Sequence, residues 1–72
     1  MDLIEHSSEQ RMGREAAAER LRSLADELAR QNEVSFVRDG RRFTVRVPDE
    51  VVLKLEIEIG EDGSEIEIEL QW

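Results

Sequence analysis

The chain has 72 residues, no cysteine and a formal net charge of −8. A single domain over residues 1–72 is expected, with a core near the lower limit of self-sufficiency, since chains of this size bury only about 60% of their unfolded surface. Without cysteine, disulfides and thiolate metal sites are excluded. No apolar run has the length of a signal peptide core or a membrane span, which predicts a cytoplasmic protein.

Negative charge is concentrated in the C-terminal third. Residues 51–72 contain seven acids and one lysine, whereas residues 1–32 contain seven acids and five arginines. Such a surface repels phosphate groups, so we expect neither nucleic-acid nor membrane binding. A basic protein partner or metal cations are compatible with this charge.

The clearest helix is predicted from Arg14 to Arg30, with Gly13 as its N-cap and Asn32 as its end. Its apolar residues repeat at helical spacing: Ala17, Ala18, Leu21, Leu24, Ala25 and Leu28. An alternative start at Ser7 would place Gly13 inside the helix, at a cost of about 1 kcal/mol. Residues 3–12 are therefore expected to be extended, with a longer helix as the alternative.

Two hairpins are predicted after the helix. Asp39-Gly40 is a type I′ turn dipeptide, and the residues on either side of it alternate like strands. Apolar and charged residues also alternate through residues 53–72, interrupted only by the turn Gly60–Gly63. A third turn at Pro48–Glu50, with Val47 opposite Val51, would place all large apolar side chains on one face of the sheet.

The predicted fold class is therefore α+β, with one α-helix packed on one face of an antiparallel four- to five-stranded meander. The element order is β-α-β-β-β-β, in which the N-terminal segment supplies the fifth strand. The register places Phe36 opposite Phe43, and Arg42 opposite Glu56 on the other face.

The charged face of the last hairpin is the first candidate site. Glu56 opposes Glu67 and Glu58 opposes Glu65, and like charges in such positions destabilise a sheet by several tenths of a kcal/mol. Such a face is either a solvated surface that prevents edge aggregation or a docking surface for a basic protein. The residues predicted for the interaction surface are Arg42, Arg46, Glu56, Glu58, Glu65, Glu67, Glu69 and Trp72.

Trp72 is the second candidate. The alternation places it on the apolar face opposite Val51, where it is expected to close one end of the core. The alternative is a partly exposed hot spot on an edge strand.

The remaining candidate motifs concern catalysis and metal binding. The turn Gly60–Gly63 lacks the Asp-x-Asp spacing and closing glutamate of an EF-hand, so a hairpin loop is favoured. His6 is the sole histidine. No phosphate loop or nucleophile elbow is present. We expect no catalytic activity, no cofactor and no metal site.

Three stretches in this order resemble the Amphi-Trp domain family of small archaeal and bacterial domains. They are residues 14–25, with Arg14-Glu15-Ala16-Ala17-Ala18-Glu19-Arg20-Leu21 and Leu24-Ala25, then Val47-Pro48-Asp49-Glu50-Val51 and Glu67-Ile68-Glu69-Leu70-Gln71-Trp72. The resemblance implies a small domain, free-standing or part of larger proteins, and implies no activity and no set of functional residues. Gly13 departs from the pattern, since such sequences tend to have serine or threonine there.

The expected function is a noncatalytic protein–protein interaction module. Its outer sheet face would grade from arginine to glutamate and would dock a basic protein, or a second copy turned end for end as a homodimer. The alternative is an acidic protein that responds to divalent cations.

Overall fold

The computed structural model describes residues 4–72, which form one helix and four strands. The elements are α1 (Arg14–Gln31), β1 (Glu33–Arg38), β2 (Arg41–Arg46), β3 (Val52–Ile59) and β4 (Ser64–Gln71). The strands make two separate two-stranded antiparallel sheets, β1–β2 and β3–β4. The α+β class is confirmed, but the four strands do not form the single predicted meander.

Both predicted ends of the helix are confirmed. Gly13 is the N-cap, with an extended backbone (φ −67°, ψ 153°), and its carbonyl accepts a hydrogen bond from the Ala17 amide at 3.0 Å. Asn32 ends the helix in the left-handed conformation (φ 55°, ψ 25°), which asparagine tolerates better than most residues. The alternative start at Ser7 is wrong, because residues 4–13 contain no helix.

The N-terminal segment does not supply the fifth strand, since residues 4–12 have no strand structure, and residue 3 lies outside the described residues. The segment nevertheless lies against the β1–β2 hairpin. His6 stacks on Phe36 with the ring centroids 4.6 Å apart, and Arg38 donates a hydrogen bond through Nη1 to the carbonyl of Glu5 at 2.7 Å. These contacts order the segment through side chains rather than through a ladder of backbone hydrogen bonds.

The β1–β2 hairpin has the predicted register, with Val34 opposite Val45 and Phe36 opposite Phe43. The two phenylalanine rings stack 5.4 Å apart. Helix α1 lies against β1, where the carboxylate of Glu27 accepts a hydrogen bond from the Ser35 amide at 3.3 Å. The half-buried apolar residues of α1, β1 and β2 are Ala17, Ala18, Leu28, Val34, Phe36 and Phe43. No residue of the described chain is fully buried.

The β3–β4 hairpin also has the predicted register, from Val52 opposite Gln71 to Ile59 opposite Ser64. No Cα atom of this hairpin lies within 8 Å of a Cα atom in α1, β1 or β2. The predicted pairing of Val47 with Val51 is not formed, since β3 pairs with β4 and not with β2. The Val47 amide donates to the Asn32 carbonyl at 2.9 Å and so extends the β1–β2 ladder.

The two hairpins differ in which of their residue pairs are hydrogen-bonded. The bond from Val47 to Asn32 implies that apolar pairs such as Phe36–Phe43 are the hydrogen-bonded ones in β1–β2. In β3–β4 the Gly60 amide donates to the Gly63 carbonyl at 3.0 Å. The hydrogen-bonded pairs of this hairpin are therefore the charged ones, such as Glu58–Glu65. The hydrogen-bonded pairs are therefore apolar in one hairpin and charged in the other, and we call this a difference in phase.

This difference in phase prevents a regular antiparallel pairing of β2 with β3. Along a strand, the side-chain face and the direction of the backbone N–H and C=O alternate together. With apolar side chains on one face, Leu55 of β3 would direct its backbone groups towards β2, but Phe43 of β2 directs its own towards β1. A regular sheet cannot satisfy both conditions, so the predicted meander was wrong at this junction.

Candidate interaction surface

The predicted glutamates lie together on one face of the β3–β4 hairpin. Alternation along the two strands places Glu56 and Glu58 beside three glutamates of β4, and every one of these residues is exposed. The predicted cross-strand pairs Glu56–Glu67 and Glu58–Glu65 are confirmed in the register. The hairpin therefore presents a continuous acidic surface to solvent, which we call the glutamate face: Glu56, Glu58, Glu65, Glu67 and Glu69.

The glutamate face is poorly neutralised by neighbouring cations. Lys54 lies opposite Glu69 in the register, but its Nζ approaches Oε2 of Glu56, at 3.7 Å. In the described part of the chain no other ion pair within 4.0 Å involves this face. Facing carboxylates of this kind weaken their own sheet, so the arrangement is not explained by the stability of the hairpin.

Arg42 and Arg46 lie on β2, in the other sheet. They share a face with Ser35 and Thr44, whose hydroxyl oxygens are 3.5 Å apart. Because β2 and β3 do not meet, the structure does not bring the two arginines next to the glutamate face, and the predicted pair of Arg42 with Glu56 is not formed. The arginines instead lie on the polar face of the β1–β2 hairpin, where Arg46 is opposite Glu33 and Arg42 is opposite Val37.

Trp72 does not close a core. Strand β4 ends at Gln71, the ladder does not extend to Val51, and the tryptophan is 62% exposed. The structure therefore has the exposed position that is the alternative for this residue, because none of α1, β1 and β2 lies near the end of the hairpin.

Sequence reasoning missed that the apolar face of the β3–β4 hairpin is open. The alternation predicts that these side chains lie in the core, yet Ile57 is 68% exposed and Ile59 84% exposed. The feature that separates the two hairpins is the phase of hydrogen bonding at the Gly60–Gly63 turn relative to that of β1–β2, and hydrophobic alternation does not encode this phase. We call this surface the apolar face: Leu53, Leu55, Ile57, Ile59, Ile66, Ile68 and Leu70, with Trp72 at its end.

The β3–β4 hairpin exposes carboxylates on one face and apolar side chains on the other. In residues 4–72 no three histidine or acidic side chains converge in a geometry that could hold a metal ion. None of the helical structure found in that range is long and apolar enough to cross a membrane. The β3–β4 hairpin presents two exposed surfaces, the glutamate face and the apolar face.

This arrangement defines a class of protein, a small α+β domain in which an amphipathic hairpin projects from a compact helix–hairpin unit. The family model of the Amphi-Trp domain matches residues 2–72. The chain belongs to the Amphi-Trp domain family, which confirms the resemblance seen in the sequence. Comparison with curated proteins and with solved structures gave no match.

We expect Glu65→Lys to stabilise the β3–β4 hairpin. The substitution replaces a repulsive pair with Glu58 by an attractive one, which is worth about 0.5 kcal/mol between exposed side chains. Thermal unfolding followed at the amide NMR signals of β3 and β4 measures the change. Glu61→Lys, in the turn, is the matched control with the same change in net charge. Equal stabilisation by both variants would mean that overall charge, rather than the facing pair, is responsible.

Proposed function

We propose that this domain is a noncatalytic protein–protein interaction module of the cytoplasm, which docks a basic protein on its glutamate face. The supporting observation is that five exposed glutamates share one face of a hairpin that has no Cα atom within 8 Å of α1, β1 or β2. Exposed charge of one sign raises the rate at which an oppositely charged partner associates and selects against partners of the same sign.

The energetics of the face favour a binding role over a purely structural one. Two glutamate pairs face each other across the strands, and Lys54 lies close to just one of these carboxylates. Lysine or arginine side chains of a partner would relieve this repulsion on binding. Part of the cost that the free hairpin carries would thereby contribute to the affinity of the complex.

A lysine- or arginine-rich surface is the partner chemistry that this face fits. A second copy is one source of such a surface, since Arg42 and Arg46 lie on its β1–β2 hairpin. Light scattering at low and high salt tests this version. A dimer held by these charges would dissociate as salt rises, because screening weakens contacts between exposed charges.

Crosslinking capture from a lysate of the source organism tests the docking face. The triple variant Glu56→Lys, Glu67→Lys and Glu69→Lys reverses its charge, and we expect it to lose basic proteins that the wild type captures. The matched control, Asp49→Lys, Glu50→Lys and Glu61→Lys, makes the same change in net charge in exposed loops. It is expected to keep them.

Purified partners from that capture are then titrated at rising salt. Binding that weakens with salt and maps by NMR to β3 and β4 would support the proposal. An unchanged captured set in the face variant would overturn it, as would equal losses in the control, since overall charge alone would then explain the capture.

The response to divalent cations is the second candidate, and it stays a prediction. Carboxylates in a row on a sheet do not converge, whereas calcium takes 6–8 oxygen ligands around one point. Titration with millimolar calcium or magnesium, followed by amide chemical shifts of the glutamate face, tests it. Absence of shifts would remove this candidate and leave the docking proposal untouched.

A further inference from the structure

The chain exposes far more surface than a folded monomer of its size. Its accessible surface is 7215 Å². A compact monomer of 8.4 kDa is expected to expose about 4,600 Å², which leaves an excess of roughly 2,600 Å². A standard protein–protein interface buries about 800 Å² on each partner. The excess is therefore large enough for a stable interface on one copy.

Exposed large apolar side chains are concentrated on one surface of the chain. The apolar face of β3–β4 consists of large side chains in register on two strands, and Ile57 and Ile66 at its centre are 68% and 67% exposed. A two-stranded hairpin with one apolar side is only marginally stable in water by itself. Contiguous apolar surface of this extent on a small domain marks an interaction site.

We infer that the apolar face is covered by the apolar face of a second copy, giving a two-fold dimer in which two β3–β4 hairpins pack face to face. Two such sheets pack about 10 Å apart with their inner side chains interdigitated. The surface is self-complementary in character because each copy contributes the same rows of leucine and isoleucine, as an isologous interface requires. Both glutamate faces then point outward into water.

Cover from within the chain is disfavoured by the ladder of hydrogen bonds. The opposite phase of the two hairpins prevents β3 from joining β2 as a regular antiparallel strand with a shared apolar face. The corresponding face of β1–β2 is also partly occupied, since His6 lies on Phe36. The apolar face of a second copy can pack face to face without joining a hydrogen-bonded ladder, and the N-terminal segment does not cover it.

Edge-to-edge pairing between copies is disfavoured by charge. Joining β4 to β4 of a second copy would place the glutamates of the two strands side by side on one face, where like charges destabilise the sheet. Face-to-face packing keeps each glutamate face on its own outer side of the dimer. The charge pattern of the hairpin therefore permits the stacked arrangement and opposes the extended one.

Sedimentation equilibrium and light scattering of the full chain, from micromolar to millimolar concentration, test the dimer. We expect a reversible monomer–dimer equilibrium that high salt does not weaken, because apolar burial is not screened. Trp72, the sole tryptophan, is expected to shift its emission to shorter wavelength as the dimer forms. A monomer at every concentration would overturn the inference.

Matched substitutions on the two faces of β3 locate the interface. Ile57→Ser removes an apolar side chain at the centre of the proposed contact. Because both copies carry the substitution, the dimer interface loses two such side chains. We expect the dimer dissociation constant to rise at least about tenfold. Val52→Ser is the control on the glutamate face of the same strand, with a similar exposure of 64%. It is expected to leave the constant within about twofold.

Both residues are largely exposed in the single chain, so neither variant is expected to prevent folding. Far-UV circular dichroism of the dilute proteins verifies this. Leu21 of α1 is 51% exposed, and Leu21→Ser tests whether the apolar face instead packs on the helix of a second copy. Dissociation by Leu21→Ser, or equal weakening by Ile57→Ser and Val52→Ser, would overturn face-to-face packing. The charge-reversed glutamate face leaves this dimer intact, so docking and dimerisation can fail separately.

Discussion

Replacing Phe36 with alanine is expected to destabilise the compact helix–hairpin unit by about 2 kcal/mol, roughly half the cost of removing a fully buried phenylalanine. Phe36 is half-buried and lies between His6 and Phe43, with ring centroids at 4.6 and 5.4 Å. The substitution therefore removes the stacking contact with the N-terminal segment as well as the contact with Phe43 inside the β1–β2 hairpin. In a domain of this size the midpoint of thermal unfolding should fall by on the order of 10 °C.

Thermal unfolding followed by circular dichroism of α1 measures this effect. Val37→Ala is the matched control, because Val37 is the next residue of β1, is 65% exposed and lies on the opposite face. We expect it to change the free energy of unfolding by less than about 0.5 kcal/mol. Similar losses in both variants would mean that strand propensity, and not the stacked rings, dominates the stability of this unit.

Amide hydrogen exchange should divide the dilute protein into two parts. The hydrogen-bonded amides of β3–β4 are expected to exchange on the order of a hundredfold faster than those of Val34 and Phe36, because a lone hairpin opens at little cost in free energy. The separation between the hairpin and the other elements carries this expectation. Exchange followed residue by residue by NMR, at concentrations below dimer formation, measures it.

Uniform protection across both hairpins in the dilute protein would contradict this expectation. It would require the β3–β4 hairpin to open only together with α1 and the β1–β2 hairpin. Raising the concentration provides an internal control, since the face-to-face dimer should slow exchange in β3–β4 and leave β1–β2 nearly unchanged. The same sample thus reports the independence of the hairpin and its association.

Local features of the fold were readable from the sequence because their causes are local. Asp39 and Gly40 both have positive φ, 53° and 73°, as the predicted type I′ turn requires. The turn positions and the alternation together predict every residue pair in both hairpins, because the turn centres the pairing and a slip of one residue would exchange the two faces. The grouping of the glutamates on one face followed from the same period of two.

The junction between the hairpins was not readable in this way. Alternation states which side chains share a face, but the turn geometry decides which of the facing pairs exchange hydrogen bonds. At Gly60–Gly63 a single bond from the Gly60 amide sets that phase, and Gly63 adopts φ 153°. The predicted positions of Arg42 and Trp72 are wrong for the same reason. Each depends on a continuous sheet across the junction between β2 and β3, which the structure does not form.

The hydrogen bond from Val47 to Asn32 closes the ladder of β1–β2 next to the end of α1. Helix α1 and the β1–β2 hairpin pack together without contact from the β3–β4 hairpin. The backbone hydrogen bonds of β3 and β4 are made within their own hairpin. In evolutionary terms, a substitution in one part then has no neighbour in the other with which to compensate. Members of the family should therefore show correlated changes within each part and independent divergence between them, which would let the hairpin acquire new partners while the scaffold is preserved.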